Sequence, residues 1–183
     1  MRIGGDGFYG CSNLMSITVP DGVASIEGYT FAYCTNLKSI TISDSVTSID
    51  YGAFMNCENL TSLIIPEGVT SISSSTFENC SKLVSITIPE GVVSIGREAF
   101  YLCTELESIT VPISLKWYNI GTNAFLNCNF IKHIHIPNGT TYSDYSGGGE
   151  LPIKSEYYFE LSEYGSCPVS YTHLRAHETL SDL

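Results

Sequence analysis

Apolar positions along the chain recur on a long, fixed period. Phe8, Phe31, Phe54, Phe77, Phe100 and Phe125 each stand three residues before a cysteine: Cys11, Cys34, Cys57, Cys80, Cys103 and Cys128. Three residues after each cysteine comes Leu14, Leu37, Leu60, Leu83, Leu106 or Ile131. Next are apolar pairs two apart: Ile17/Val19, Ile40/Ile42, Leu63/Ile65, Ile86/Ile88, Ile109/Val111 and Ile134/Ile136. Alternation of this kind predicts short strands with one buried face. Val23/Ile26, Val46/Ile49, Val69/Ile72 and Val92/Ile95 then lead into the following Phe. The two apolar groups are joined by a turn, usually Pro-acid-Gly. Pro at its second and Gly at its fourth position predict type I geometry.

Successive cysteines are 23 residues apart as far as Cys103, and 25 separate Cys103 from Cys128. A period of 20–29 residues carrying L-x-x-I-x-I predicts a repeat solenoid. A single unit cannot bury enough apolar surface to offset the entropy of ordering its own backbone. Stacking buries both flanks of each core slice and adds a backbone ladder between parallel strands, so the array folds where one unit does not.

Units such as NLTSLIIPEGVTSISSSTFENCSKL closely resemble the BspA-like leucine-rich repeats of bacterial, and some protozoan, surface proteins. The match covers residues 4–139. It implies a right-handed leucine-rich-repeat superhelix, with a parallel β-sheet on one face and short extended and helical-turn segments on the other. It also implies recognition or adhesion at a cell surface, extracellular or surface-anchored, with a protein or glycan of a host or neighbouring cell as partner. The other expectation compatible with the repeats is a structural scaffold or spacer beside an enzyme domain outside this chain. The division expected is residues 1–139 as six repeats, 140–167 as a linker, cap or start of a further domain, and 168–183 as a non-native tail. The first unit opens without a polar capping segment, which predicts a fragment of a longer protein.

Charge narrows the partners. Eight Lys and Arg against 19 Asp and Glu give a net charge of −11, unsuited to phosphate contacts, so no nucleic-acid partner is expected. There is no run of 18 apolar residues, so no direct membrane insertion is expected either. The segment MRIGGDGFYG lacks the stages of a signal peptide. The oligomeric state is left open.

Strand alternation assigns the residues between the apolar pairs to the outer face of the sheet. One row is Ser16, Ser39, Ser62, Ser85, Ser108 and His133, and the second is Thr18, Thr41, Ile64, Thr87, Thr110 and His135. Such a hydroxyl-rich face suits a glycan or protein segment, and it equally suits tight strand stacking, for which Thr is fit by itself. Ser62, Ser85, Thr87, Ser108, Thr110, His133 and His135 are the ligand-binding candidates on this face. Trp117 and Tyr118 join them from the longer fifth unit, VPISLKWYNIGTNAF, either as binding anchors or as cover for the wider gap.

No catalytic centre, metal or cofactor is expected. His133 and His135 supply only two imidazoles, and their ladder neighbours Ser108 and Thr110 are poor zinc ligands. Ser108 beside His133 has no oxyanion hole on a flat sheet, and no acid is foreseen in the adjoining strand slot. The repeat cysteines are expected to be buried free thiols, because parallel Cβ vectors hinder disulfides. Asp21, Asp44, Glu67 and Glu90 are expected to form a solvated turn edge. Beyond the repeats, Gly147–Gly149 mark a flexible stretch and Tyr157–Leu161 a possible strand. His173 and His177 have helical spacing for a metal, but Glu178 lies outside the pair, unlike metalloprotease patterns. PVSYTHLRAHET resembles a translated sequencing adapter, so it is set aside as a site.

Overall fold

A computed structural model describes residues 1–112, 115, 119–129, 131, 133–136 and 158–161. It is a solenoid of short parallel strands and turns. The strands are β1 (Arg2–Ile3), β2 (Ser16–Val19), β3 (Ser25–Ile26), β4 (Ser39–Ile42), β5 (Ser48–Ile49), β6 (Ser71–Ile72), β7 (Ser85–Thr87), β8 (Ser94–Ile95), β9 (Ser108–Thr110), β10 (His133–Ile136) and β11 (Tyr158–Leu161). The longer strands form the main face. There β2 pairs with β4, the third unit joins through a Ser39–Ser62 bridge, and β7, β9, β10 and β11 follow in order. All of these pairings are parallel and in register, Ile17 against Ile40 and Ile86 against Ile109. A second, narrower ladder is built from the two-residue strands: β1–β3–β5, then β6–β8, then a bridge from Ile95 to Ile120.

The core is a set of columns. Phe31, Phe54, Phe77 and Phe100 are fully buried, and each stacks on the next repeat's Phe with ring centroids 5.3–5.6 Å apart, or 5.2 Å for Phe100 on Phe125. The rings lie within 16° of parallel, an arrangement imposed by the repeat spacing. Leu37, Leu60, Leu83 and Leu106 form a parallel column, as do Ile26, Ile49, Ile72 and Ile95. The alternation reads as expected: in β7 Ile86 is buried between exposed Ser85 and Thr87.

Two local features differ from the sequence expectation. The Pro-acid-Gly turn closes with the Pro carbonyl accepting from the following Val N–H, as in Val69 to Pro66 and Val92 to Pro89, both 3.0 Å. Pro is therefore the first residue of the turn and Gly the third. Val69 and Val92 are wholly buried, and this bond supplies the partner their N–H groups need. At Gly22 φ is +82°, open to glycine without steric cost.

The second feature is the Phe-x-x-Cys segment, which forms consecutive turns with no regular helix. Two positions per unit are left-handed: the residue two before Phe and the residue before Cys. Tyr29 and Tyr33, Gly52 and Asn56, Ser75 and Asn79, Glu98 and Leu102, Asn123 and Asn127 all have φ between 54° and 67°. The kinks turn alternate N–H groups out of the unit. Ala32 donates back to Tyr29, while Tyr29, Phe31 and Tyr33 donate to Tyr51, Ala53 and Met55 of the next repeat. The same three cross-repeat bonds recur from Gly52, Phe54 and Asn56 to Ser74, Thr76 and Glu78. A continuous helix would keep those donors for itself, so the strained backbone is what makes a third inter-repeat ladder.

Phe77→Ala should destabilise the array by about 3–5 kcal/mol, and Phe8→Ala, at a half-buried end of the column, by less. Leu102→Asn should raise stability by up to about 1 kcal/mol, because Leu holds a left-handed position at a cost Asn largely avoids. Urea denaturation of the three variants checks both statements.

Candidate functional site

The main sheet face carries the hydroxyl rows. Ser62, Ser85 and Thr87 are exposed, and Ser108 and Thr110 are half-buried. The register Ser85–Ser108–His133 and Thr87–Thr110–His135 brings these candidates into two adjoining rows, because each unit repeats its alternation one strand further on. Ile64 stands in the Thr row and is 83% exposed, the most exposed large hydrophobic of the set described. It gives an otherwise uncharged, hydroxyl-lined face one apolar contact point. Asp21, Asp44, Glu67 and Glu90 line the neighbouring turn edge, all exposed. Ser43 donates a hydrogen bond to Asp21.

Trp117 and Tyr118 lie outside the described residues, as do Gly147–Gly149 and the tail with His173, His177 and Glu178. His133 and His135 occupy β10 in the register expected against Ser108 and Thr110. On the other side, strand β11 pairs in parallel with β10 and sets Tyr158 opposite His133 and Glu160 opposite His135, so the slot beside His133 holds a tyrosine and the acid falls one pair further along. Glu160 escaped the repeat pattern because it arrives through a connection more than twenty residues long, with no period to count.

The turn side carries aromatics that the shared positions did not reveal. Tyr9 and Tyr33 pair at 5.3 Å, and Tyr29 and Tyr51 meet edge to face at 5.1 Å. Tyr9, Tyr33 and Tyr51 are exposed. A hydrogen bond with the Tyr51 side chain, aided by partial desolvation, holds the Tyr29 phenol above its ordinary range. These residues are specific to their own units, so averaging over repeats removes them.

The repeat thiols have a structural task. Each Sγ donates to the carbonyl of the preceding repeat's Phe: Cys34 to Phe8, Cys57 to Phe31, Cys80 to Phe54, Cys103 to Phe77 and Cys128 to Phe100, at 3.0–3.2 Å. Cys is small enough for the slot and still satisfies a buried acceptor. Cys11 alone among the described cysteines is exposed. Desolvation by burial pushes the Cys34 thiol up to about 11, and raises Cys57, Cys80 and Cys103 further. Such thiols are inert and remain protonated at neutral pH.

Residues 1–132 match the family model described as the BspA type leucine-rich repeat region, in six copies. The chain belongs to the BspA-type leucine-rich repeat family. Its solved structural relatives are bacterial. A leucine-rich cell surface protein of Faecalibacterium prausnitzii A2-165 is 36% identical with a TM-score of 0.65, over 71% of this chain and 33% of that one. The leucine-rich repeat protein TpLRR of T. pallidum is 30% identical with a TM-score of 0.70, over 73% and 62%. A leucine-rich repeat protein of Bacteroides ovatus ATCC 8483 is 34% identical with a TM-score of 0.69, over 75% and 37%. The chain thus aligns with less than two thirds of each relative's length. Among curated proteins there is no match. No helix among the described residues is long and apolar enough to cross a membrane.

The buried thiols generate a pH dependence with a definite sign. A thiol whose folded pKa is raised stabilises the fold fully below its unfolded pKa, near 9.0, and loses that contribution as pH rises through about 11 for Cys34. Stability measured by urea titration should therefore fall above pH 9. At pH 7.5, peptide mapping after brief alkylation should find Cys11 modified, and Cys57, Cys80 and Cys103 modified only in denaturant.

Proposed function

We propose that the chain is a non-catalytic recognition module of a secreted or cell-surface protein, binding a protein or glycan through the main sheet face. The observation that carries this reading is the exposed, uncharged hydroxyl field of Ser62, Ser85 and Thr87, continuing to Ser108 and Thr110, with Ile64 as its apolar point. Hydroxyls offer both donor and acceptor in any rotamer, which suits the alternating groups of a sugar or an extended peptide. The flat sheet presents them at fixed spacing, so little ordering entropy opposes binding. The Faecalibacterium relative, named as a cell surface protein, supports the location. The scaffold reading has no observation of its own beyond the repeats.

The test is retention of the purified chain on bacterial and epithelial cell surfaces, together with a glycan array. Binding is expected for the parent chain, and Ser85→Arg/Thr87→Arg should reduce it by about tenfold or more, equivalent to 1.4 kcal/mol, through bulk placed in the contact area. Melting temperature should stay within a few degrees, since both positions face solvent. Equal retention of parent and variant would assign binding to another face, and no retention on any surface would leave the scaffold reading.

A further inference from the structure

We propose that the turn side of the first three units is a docking surface for an Arg- or Lys-rich segment of a partner protein, with Tyr9, Tyr29, Tyr33 and Tyr51 as its aromatic platform. The inference comes from residues that the solenoid itself does not need. Asn, which accepts left-handed backbone readily, fills such positions at Asn56, Asn79, Asn123 and Asn127. The second unit instead carries tyrosine at both of its left-handed positions, Tyr29 at φ 55° and Tyr33 at φ 61°. Tyr33 is exposed, so core burial does not offset the strain there. Gly52 supplies the space that Tyr29 requires, since a Cβ at that position would stand 2.8 Å from its ring. Each of these tyrosines is joined by one from a neighbouring unit, Tyr9 beside Tyr33 at 5.3 Å and Tyr51 beside Tyr29 at 5.1 Å. Unlike the buried Phe rings, the pairs are tilted by 52° and 75°, and Tyr9, Tyr33 and Tyr51 are open to solvent.

Charge selects the occupant. Between Arg2 and Lys82 the sequence holds eight acids and one basic residue, Lys38. Asp6 and Glu78 lie close enough to Tyr29 to act on its phenol through space. The basic side chains Arg2 and Arg97 are engaged by Glu27 and Glu98, at 3.1 and 2.9 Å. Aromatic faces beside carboxylates attract a cation in two ways, through the ring quadrupole and through net charge. A guanidinium also stacks flat on a phenol ring while its N–H groups reach carboxylates at the edge, so Arg is favoured over Lys. Tyr and Arg are the residues on which protein interfaces concentrate their binding energy. This surface lies on the Phe-x-x-Cys turns and not on the main sheet, so it stands independently of the hydroxyl rows.

The experiment titrates the full chain into three fluorescein-labelled peptides, alternating Ser with Arg, Lys or Gln, and follows fluorescence anisotropy. The Arg peptide should bind, the Lys peptide more weakly, and the Gln peptide not at all. Tyr33→Asn/Tyr51→Ser removes two rings without changing charge, using the residues found at the same positions in other units, Asn56 and Ser74. It should weaken the Arg peptide by about tenfold or more. Asp6→Asn/Glu78→Gln should also weaken it. Asp44→Asn/Glu67→Gln removes the same charge from the other turn edge and should leave affinity within about twofold, since separated exposed charges are screened. Circular dichroism and melting temperature establish that each variant retains the solenoid. The proposal is overturned if the Arg peptide does not bind, or if the Gln peptide binds equally well. It is also overturned if Tyr33→Asn/Tyr51→Ser binds like its parent, which would reduce the attraction to the chain's general acidity.

Discussion

Everything in this molecule depends on in-register stacking. Each unit must offer the next the same atoms at the same height, because one slice has too little core to hold its own shape. The Phe column shows how strictly this operates: five successive ring pairs lie within 16° of parallel and between 5.2 and 5.6 Å apart. Edge-to-face packing would serve an isolated pair equally well, but it cannot propagate through identical units without tilting every second one.

The backbone follows from the same requirement. A helical turn at Phe-x-x-Cys would satisfy its own donors and offer nothing sideways. Two left-handed residues per unit redirect three N–H groups to the neighbouring repeat, so strain within the unit becomes cohesion between units. The thiols complete the arrangement, each closing on a Phe carbonyl that also accepts the N–H of its own unit's cysteine, as Phe31 accepts from Cys34 and Cys57. Core, turn and cysteine are one device repeated. With the interior committed in this way, the outward Ser and Thr positions of the main sheet lie outside the packed core, as Ser85 and Thr87 do on either side of buried Ile86.

Periodicity made the solenoid legible, because a side chain that must meet its own copy in the next unit leaves a mark every 23 residues. Phe54, Cys57, Leu60, Leu63 and Ile65 are all buried as the pattern requires, and Ser62 is exposed between them. The pattern was silent on what does not repeat. Tyr9, Tyr29, Tyr33 and Tyr51 pair on the turn side through residues particular to the first units. The turn after Pro66 was also misplaced by one residue, since composition names the turn residues but only the hydrogen bond from Val69 fixes their order.

Sequence alone determined the family, the parallel stack, the inward and outward rows and the free thiols, because all of these are consequences of a local pattern copied at a fixed interval. Tertiary structure alone decided the left-handed turns, the thiol-to-carbonyl bonds and the arrival of Glu160 beside His135. Those depend on which backbone group meets which across a gap between units, and for Glu160 on a strand returning to the sheet after a connection without period. A repeat shows in sequence where like meets like; where unlike residues meet, only the folded register brings them together.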